Sequence, residues 1–356
     1  MTQDTLTPIP AEHLHEVTVR IWRAAGGEEG EAGLLADHLV GANLAGHDSH
    51  GVGLIPEYVQ YVREGGLVMG RRPEVVHDTG VVVTLEAGLG LGQVAAHDAM
   101  TLGIERAGRS GAAVVALRHS HHVGRIGHWA EQCAAAGFAS LHLVSVPGDL
   151  LVAPFGGSDA RFGTNPFCAA FPRPGADPIL ADFATSRLAL GKMRVAHNAG
   201  TPAPDGTMLD AQGRPTTDPG VMFADPRGAL LTTGEHKGSA LAIIAELFAG
   251  AMAGGGVTSA DTAAARASIV NAMFSLVIDP AAFGTSDAQE QADTFLRWVA
   301  ASPPTDSTEQ VLLPGEPERR SHEQRTAHGV PVDPTTWQQI LDAGASVGLD
   351  PADLQP

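Results

Sequence analysis

Val81-Val82-Val83-Thr84-Leu85-Glu86-Ala87-Gly88-Leu89-Gly90-Leu91-Gly92-Gln93 is the stretch on which the fold class turns. Its first five residues form a mainly β-branched run that favours extended backbone. Glycines then recur at every second position, and residues 93–107 carry the apolar spacing of a helix. A strand that enters a helix through a glycine-rich turn is the setting of a dinucleotide fingerprint. The register does not match it well. Read from Gly88, the third glycine of G-x-G-x-x-G falls on Gln93; read from Gly90, the last position is Ala95, which only the variant ending in alanine allows. The next strand, 112–117, is followed by Arg118 and not by an acid for a ribose diol. A structural turn is the better reading of these glycines.

Downstream, 126–136 reads as a helix and 140–145 as a strand, which completes β-α-β-α-β and an α/β layer. Short strands are expected at 167–171 and 179–183, a helix over 185–197 capped by Thr185 or Ser186, a long apolar helix over 239–253, a strand at 272–278, and helices at 289–301 and 334–347. Residues 147–166 form a long loop, and 200–230, rich in Pro, Gly, Asp and Thr, a surface excursion. Upstream the pattern is helical: 11–25, 31–45 and 56–64, with a polar loop at 46–53.

The chain of 356 residues carries 40 acidic and 22 basic side chains, a formal charge of −18. That balance argues against nucleic acid or an anionic membrane as partner. No apolar run reaches the ~20 residues of a membrane span; the nearest, 240–252, is interrupted by Glu246. Residues 1–12 lack the basic and apolar regions of a secretory leader. Cys133 and Cys168 lie in apolar surroundings without a CxxC pair, so reduced thiols and a cytoplasmic location are expected.

Five segments carry candidate chemistry. His47-Asp48-Ser49-His50 sits between two helices, where Asp48 or Ser49 could cap the next helix and His50 could exchange protons near neutral pH. His119, His121 and His122 crowd the end of a strand; a metal-dependent hydrolase is one reading, a histidine-lined cleft the other, and strand alternation puts His119 and His121 on one side. Gly156-Gly157 and Gly163-Thr164-Asn165-Pro166 could present backbone amides to an anion or be plain turns. Asp182 to Ser186 runs into a helix start, and His236-Lys237-Gly238 precedes another; each could receive a phosphate or be an ordinary cap or solvated residue.

These segments, in this order, resemble the type-2 malate/L-lactate dehydrogenase family. The matching pieces are Asp48-Ser49-His50-Gly51 with Pro56 and Tyr58; Ser120-x-His122-x-Gly124-x-x-Gly127; Pro154-x-Gly156-Gly157; Gly163 to Pro166; Asp182-x-Ala184-Thr185-Ser186; Gly213-x-Pro215-Thr216-Thr217-Asp218-Pro219; His236-Lys237-Gly238; and Pro314-Gly315-Glu316. The resemblance implies a non-Rossmann α/β fold: a cofactor- and substrate-binding core over 76–284, and a mostly helical subdomain built from 1–75 and the C-terminal helices of about 285–356. It implies reversible hydride transfer between NAD or NADP and a small 2-hydroxy/2-oxo acid, by a homodimer. His50 then matches the proton donor, with Ser49 beside it and His122 as a second active-site histidine. Asp182, Ala184, Thr185, Ser186, His236, Lys237, Gly238, Pro314, Gly315 and Glu316 match dinucleotide contacts; Ser120, Thr164, Asn165 and Leu54 match the substrate side. A silent, nucleotide-binding homologue is the remaining alternative.

Many members carry Arg four residues after the catalytic histidine, where it can clamp a carboxylate. This chain has Leu54, in a pattern similar to the hydroxycarboxylate dehydrogenase B branch. The change implies a more apolar pocket mouth and another carboxylate donor, with Arg125, Lys192 and Arg194 the nearest candidates.

Overall fold

A computed structural model describes residues 7–198, 200–305, 308 and 310–356. The stretch 1–12, read above for leader features, lies outside these over residues 1–6. Among the described residues the elements are β1 (Thr7–Ile9), α1 (Ala11–Ala24), α2 (Glu29–Leu44), 3-10 turns at Asp48–His50 and Val52–Leu54, α3 (Ile55–Glu64), β2 (Glu74–Asp78), β3 (Val82–Glu86), α4 (Gly92–Ser110), β4 (Ala112–His121), α5 (Gly127–Ala135), β5 (Ala139–Ser145), β6 (Phe167–Phe171) and β7 (Ile179–Phe183). Then come α6 (Leu190–Asn198), β8 (Met208–Leu209), β9 (Pro215–Thr216), β10 (Ala229–Leu230), α7 (His236–Ala245) with a π-helical extension Glu246–Met252, α8 (Ala260–Ala264), β11 (Val270–Ile278), α9 (Ala288–Ala300), α10 (Glu316–His328), β12 (Val330–Val332) and α11 (Pro334–Ser346). No helix among them is long and apolar enough to cross a membrane.

The β3-α4-β4-α5-β5 run forms as its periodicity dictates, but the sheet is mixed. Its strand order is β2-β3-β4-β11-β5-β6-β7. Only β3 and β4 are parallel neighbours; β11 inserts antiparallel between β4 and β5. A strand from far down the chain thus splits what a Rossmann sheet would keep adjacent. Helices α4 and α5 cover one face, packing Met100, Trp129 and Cys133 against Val83, Leu85, Val115, Leu117 and Val144. Gly88, Gly90 and Gly92 form a tight turn: a Cβ on Gly92 would lie 2.0 Å from the His122 carbonyl oxygen, so this glycine lets α4 seat directly on the end of β4.

A second core joins the two ends of the chain. Leu14, Ile21 and Trp22 of α1, Leu35 and Leu39 of α2, and Ile55 and Tyr58 of α3 pack with Ile340 and Leu341 of α11. Strand β1 pairs with β12 beside them. Helix α9 does not join this core; Asp293 ties it to Arg173 after β6, with Nε–Oδ1 at 3.0 Å.

Four details differ from the sequence reading. The helix expected from residue 185 begins at Leu190, because the chain bends at Thr185 and Ser186 bridges to Thr232. The 200–230 excursion is not a surface feature throughout: Met208, Met222 and Leu230 are fully buried in a third core with Val152 and Phe162. Its strands of two residues are too short to show periodicity. Strand β2 has every residue exposed, and α10 buries none, so neither carries an apolar pattern.

Candidate active site

The loop carrying His50 is built as a rigid shelf. The Asn43 amide of α2 donates to Asp48 Oδ1 at 2.7 Å and accepts from the Val52 backbone N–H at 2.8 Å. Arg325 of α10 then grips both Asp48 oxygens at 2.6 and 3.0 Å. Asp48 therefore anchors the loop and does not cap α3, whose N-terminus has no side-chain cap. Ser49 Oγ lies 3.0 Å from His50 Nδ1, and Ser49 itself backs onto Gly191 of α6, where a Cβ would approach to 2.7 Å.

The opposite wall is the end of β4. His119 takes a left-handed φ of 48°, which breaks the strand alternation. It turns outward to Glu86, with Nδ1 2.9 Å from Oε2, an acid that sequence proximity does not reveal. His121 is buried between the rings of Tyr58 and Tyr61, each 5.2 Å away. Burial lowers it to about 3, so it is a neutral packing residue. The three histidines thus diverge, and no group of three His, Cys, Asp or Glu among the described residues is arranged to hold a metal ion.

His122 faces His50. Their rings stack at 5.6 Å and 21°. Gln93 Nε2 donates to the Tyr58 hydroxyl at 3.2 Å, and that hydroxyl lies 2.6 Å from His122 Nδ1. Gln93 can only donate, so among the described residues His122 Nδ1 is the acceptor open to the Tyr58 proton. This fixes the neutral tautomer with the proton on Nε2, ready to donate to a ligand oxygen. Burial, and then the field of His50, hold His122 well below its ordinary value. Burial, then His47 and Arg125, lower His50 to about 4. Both rings keep part of their surface open.

The three segments matched to dinucleotide contacts in the resemblance meet around β7. The Thr233 N–H donates to the Thr185 carbonyl at 2.8 Å, joining the strand exit to the turn before α7. Gly238 is buried under the Thr233 and Thr185 carbonyls, where a Cβ would come within 2.0 and 3.0 Å. On the other edge, the Leu180 N–H donates to the Pro314 carbonyl at 3.3 Å. Gly315 takes a φ of +93° against Leu180, and Glu316 accepts from the Leu313 N–H at 2.8 Å. Asp182 accepts from the Gly127 N–H at 2.9 Å and lies 3.5 Å from Arg125; burial raises its carboxyl, with Arg125 opposing. Thr185 is fully buried, bonding the Thr164 carbonyl, while Ser186 Oγ donates to the Leu188 carbonyl. His236 and Lys237 stand exposed on the first turn of α7.

The substrate-side expectations fare unevenly. Ser120 is buried, its hydroxyl turned back to the His121 carbonyl at 2.8 Å. Asn165 is also buried. Its amide donates to Glu246 at 2.8 Å and to the Ala242 carbonyl at 3.2 Å, locking this loop to α7. Thr164 remains half-buried. Leu54 does not form a pocket mouth: it is 9% exposed, packed in the core that joins the chain ends. Arg125 is no free carboxylate clamp either, being buried and bidentate to Glu131 at 2.7 and 3.1 Å. Lys192 and Arg194 are exposed on α6. Sequence reasoning missed the working roles of Asn43, Gln93 and Arg325. Tyr58, although part of a matched motif, reads by its spacing as an ordinary core residue.

The sequence profile of the malate/L-lactate dehydrogenase family matches residues 9–341. The chain belongs to the malate/L-lactate dehydrogenase family. Family relatives include hydroxycarboxylate dehydrogenase B of Escherichia coli K12, 49% identical over 97% of this chain and 96% of that protein. An L-lactate dehydrogenase of Cupriavidus necator is 37% identical, covering 88% and 90%. Among solved structures, sulfolactate dehydrogenase of Methanocaldococcus jannaschii superposes with a TM-score of 0.85 at 28% identity, covering 98% and 99%. The family is one of oxidoreductases, and its mixed-sheet fold is the one found here.

Proposed function

We propose that this protein is an NAD(P)-dependent dehydrogenase that interconverts a small 2-hydroxy acid and its 2-oxo acid, with His50 as the acid/base. The observation that carries the reading is the His50–His122 pair, stacked at 5.6 Å with Tyr58 fixing the tautomer of His122. Relatives named as hydroxycarboxylate, lactate and sulfolactate dehydrogenases support the substrate class.

The segments around β7 fit a dinucleotide. The buried glycine Gly238 lets the start of α7 lie close to the strand exit, and exposed Lys237 adds a cation, beside the His236 ring, at a helix N-terminus. Asp182 to Ser186, His236 to Gly238 and Pro314 to Glu316 would hold it. When bound, NADH or NADPH would supply a hydride, and NAD+ or NADP+ would accept one. In reduction, His122 Nε2–H holds the carbonyl oxygen and polarises it. His50 delivers the proton to that oxygen, and in oxidation removes it. The stacked rings stand side by side, which suits them to act on one substrate atom. Ser49 at His50 Nδ1 keeps the ring oriented through either step.

A homodimer fits the surface. Ile243, Ile244, Leu247, Phe248 and Met252, on α7 and its extension, are 38–61% exposed. A contiguous apolar patch of this kind marks an association surface. Sedimentation analysis checks it.

The decisive experiment follows NADH and NADPH absorbance with a panel of 2-oxo acids. Oxidation of either coenzyme by at least one acid is expected; coenzyme binding without turnover of any acid would make the protein a silent homologue and sink the proposal.

A further inference from the structure

The loop carrying His50 holds a second histidine, His47. Its backbone is pinned at both ends. The N–H donates to the Ala42 carbonyl at 2.8 Å, and the carbonyl accepts from the His50 N–H at 2.9 Å. The second bond closes the 3-10 turn Asp48–His50, and a turn of this kind brings residues three apart to the same side. His47 and His50 are that pair. The side chains between them turn elsewhere, Asp48 to Arg325 and Ser49 to Gly191.

The His47 ring is held from α10. Its Nε2 lies 3.5 Å from Glu318 Oε1, with the two side chains 27% and 23% exposed. Glu318, Ser321 and Arg325 follow the spacing of one helix face. All three meet the loop: Glu318 at His47, Arg325 at Asp48, and Ser321 beside Gly46, where a Cβ would come within 3.0 Å of the serine Oγ. The bond to His47, ahead of an opposing burial, holds the Glu318 carboxyl below its ordinary value, so the ring keeps an anionic partner.

Both charges that bear on His50 are cationic, His47 first and Arg125 second. The other titratable groups that face it are His122 at the end of β4 and His38 on α2. Glu318 of α10 and Asp182 of β7 lie within the field of His47. Arg125 is paired with Glu131 at 2.7 Å and its charge is permanent. The charge of His47 comes and goes with a proton. A protonated imidazole beside His50 disfavours a second positive charge there, and so favours the neutral ring that oxidation needs.

We propose that His47, seated on Glu318, is a positioning residue whose protonated ring acts through His50 and holds it in its base form. The proposal rests on the reading of His50 as the acid/base.

The test reads His50 in two ways. In the free protein its ring protons are titrated by NMR, the signal being identified by its loss in His50→Gln. In turnover, the acid limb of kcat/KM is followed for a 2-hydroxy acid at saturating coenzyme. His47→Gln removes the cation and His47→Lys keeps one. In His47→Gln both midpoints should rise above the wild-type value of about 4 by about half a unit or more. In His47→Lys they should stay near wild type. A merely structural role would lower kcat or Tm in both variants and leave the midpoints in place. Midpoints unmoved in His47→Gln, or raised equally in His47→Lys, overturn the assignment while the proposed activity stands. Absence of turnover with every acid and both coenzymes overturns the two together, whatever the spectra show.

Discussion

The Tyr58 hydroxyl lies 2.6 Å from Nδ1 of His122, and it is the only group that sets which nitrogen of that ring carries the proton among the described residues. Burial pushes the phenol upward, so it stays protonated and remains a donor. Tyr58→Phe keeps the buried ring and removes the donor. It should lower kcat about three- to tenfold, in line with a net hydrogen bond of about 0.5–1.5 kcal/mol. Coenzyme affinity, read by NADH fluorescence, should stay within about twofold, because every segment assigned to the dinucleotide lies elsewhere. Unaltered kcat would mean that His122 needs no fixed tautomer.

The pH profile follows from the neutral state of His50. With its value lowered to about 4, the free ring is a base at neutral pH. Oxidation needs that form, so kcat/KM for the 2-hydroxy acid should be flat from about pH 5 to 8 and fall below about 4. Reduction needs the protonated form, which is lost about tenfold for each unit above about 4. Its kcat/KM should therefore fall with a slope near −1 over the same range. His50→Gln should abolish the slope and lower kcat by about 10²–10⁴. A flat reduction profile in wild type would remove His50 from the donor role.

Arg325 reaches the loop carrying His50 from α10, 277 residues away from Asp48 in the chain. It is a positioning residue: it touches Asp48 and the Asn43 carbonyl, not His50. Arg325→Ala should lower kcat about tenfold with KM for coenzyme nearly constant. Arg325→Lys should recover activity only in part, since an ammonium cannot make the bidentate contact. A purely structural role would instead lower the melting temperature equally in both variants and leave kcat of the folded fraction intact.

These relationships mark what the sequence could reveal. The β-α-β-α-β run was legible because Val82 to Leu85, Val114 to Leu117 and Leu141 to Val144 are long enough to show their periods. The insertion of β11 between β4 and β5 was not, since pairing between distant strands leaves no local pattern. His50 and His122 could be picked out as polar groups in ordered motifs. The Asn43–Asp48–Arg325 brace could not, because α10 is charged on every side and its one decisive arginine looks like any solvated residue. Asn165 misled for a related reason: a polar residue in a loop motif reads as available, whereas burial commits its amide to Glu246.

Leu54 gives the sharpest separation between a reading from motifs and one from packing. If position 54 lined the pocket, Leu54→Arg would place a cation there and raise activity on oxaloacetate. The side chain instead packs with the residues that join the two chain ends, 9% exposed. An arginine there must bury an unpaired charge or push the 3-10 turn out of its seat, with a cost of about 3 kcal/mol or more. Leu54→Arg should therefore lower the urea midpoint clearly and give no gain in kcat/KM for oxaloacetate. Because the turn leads directly into α3 and Tyr58, the residual activity should fall as well. A stable variant with improved oxaloacetate turnover would show that Leu54 faces the substrate.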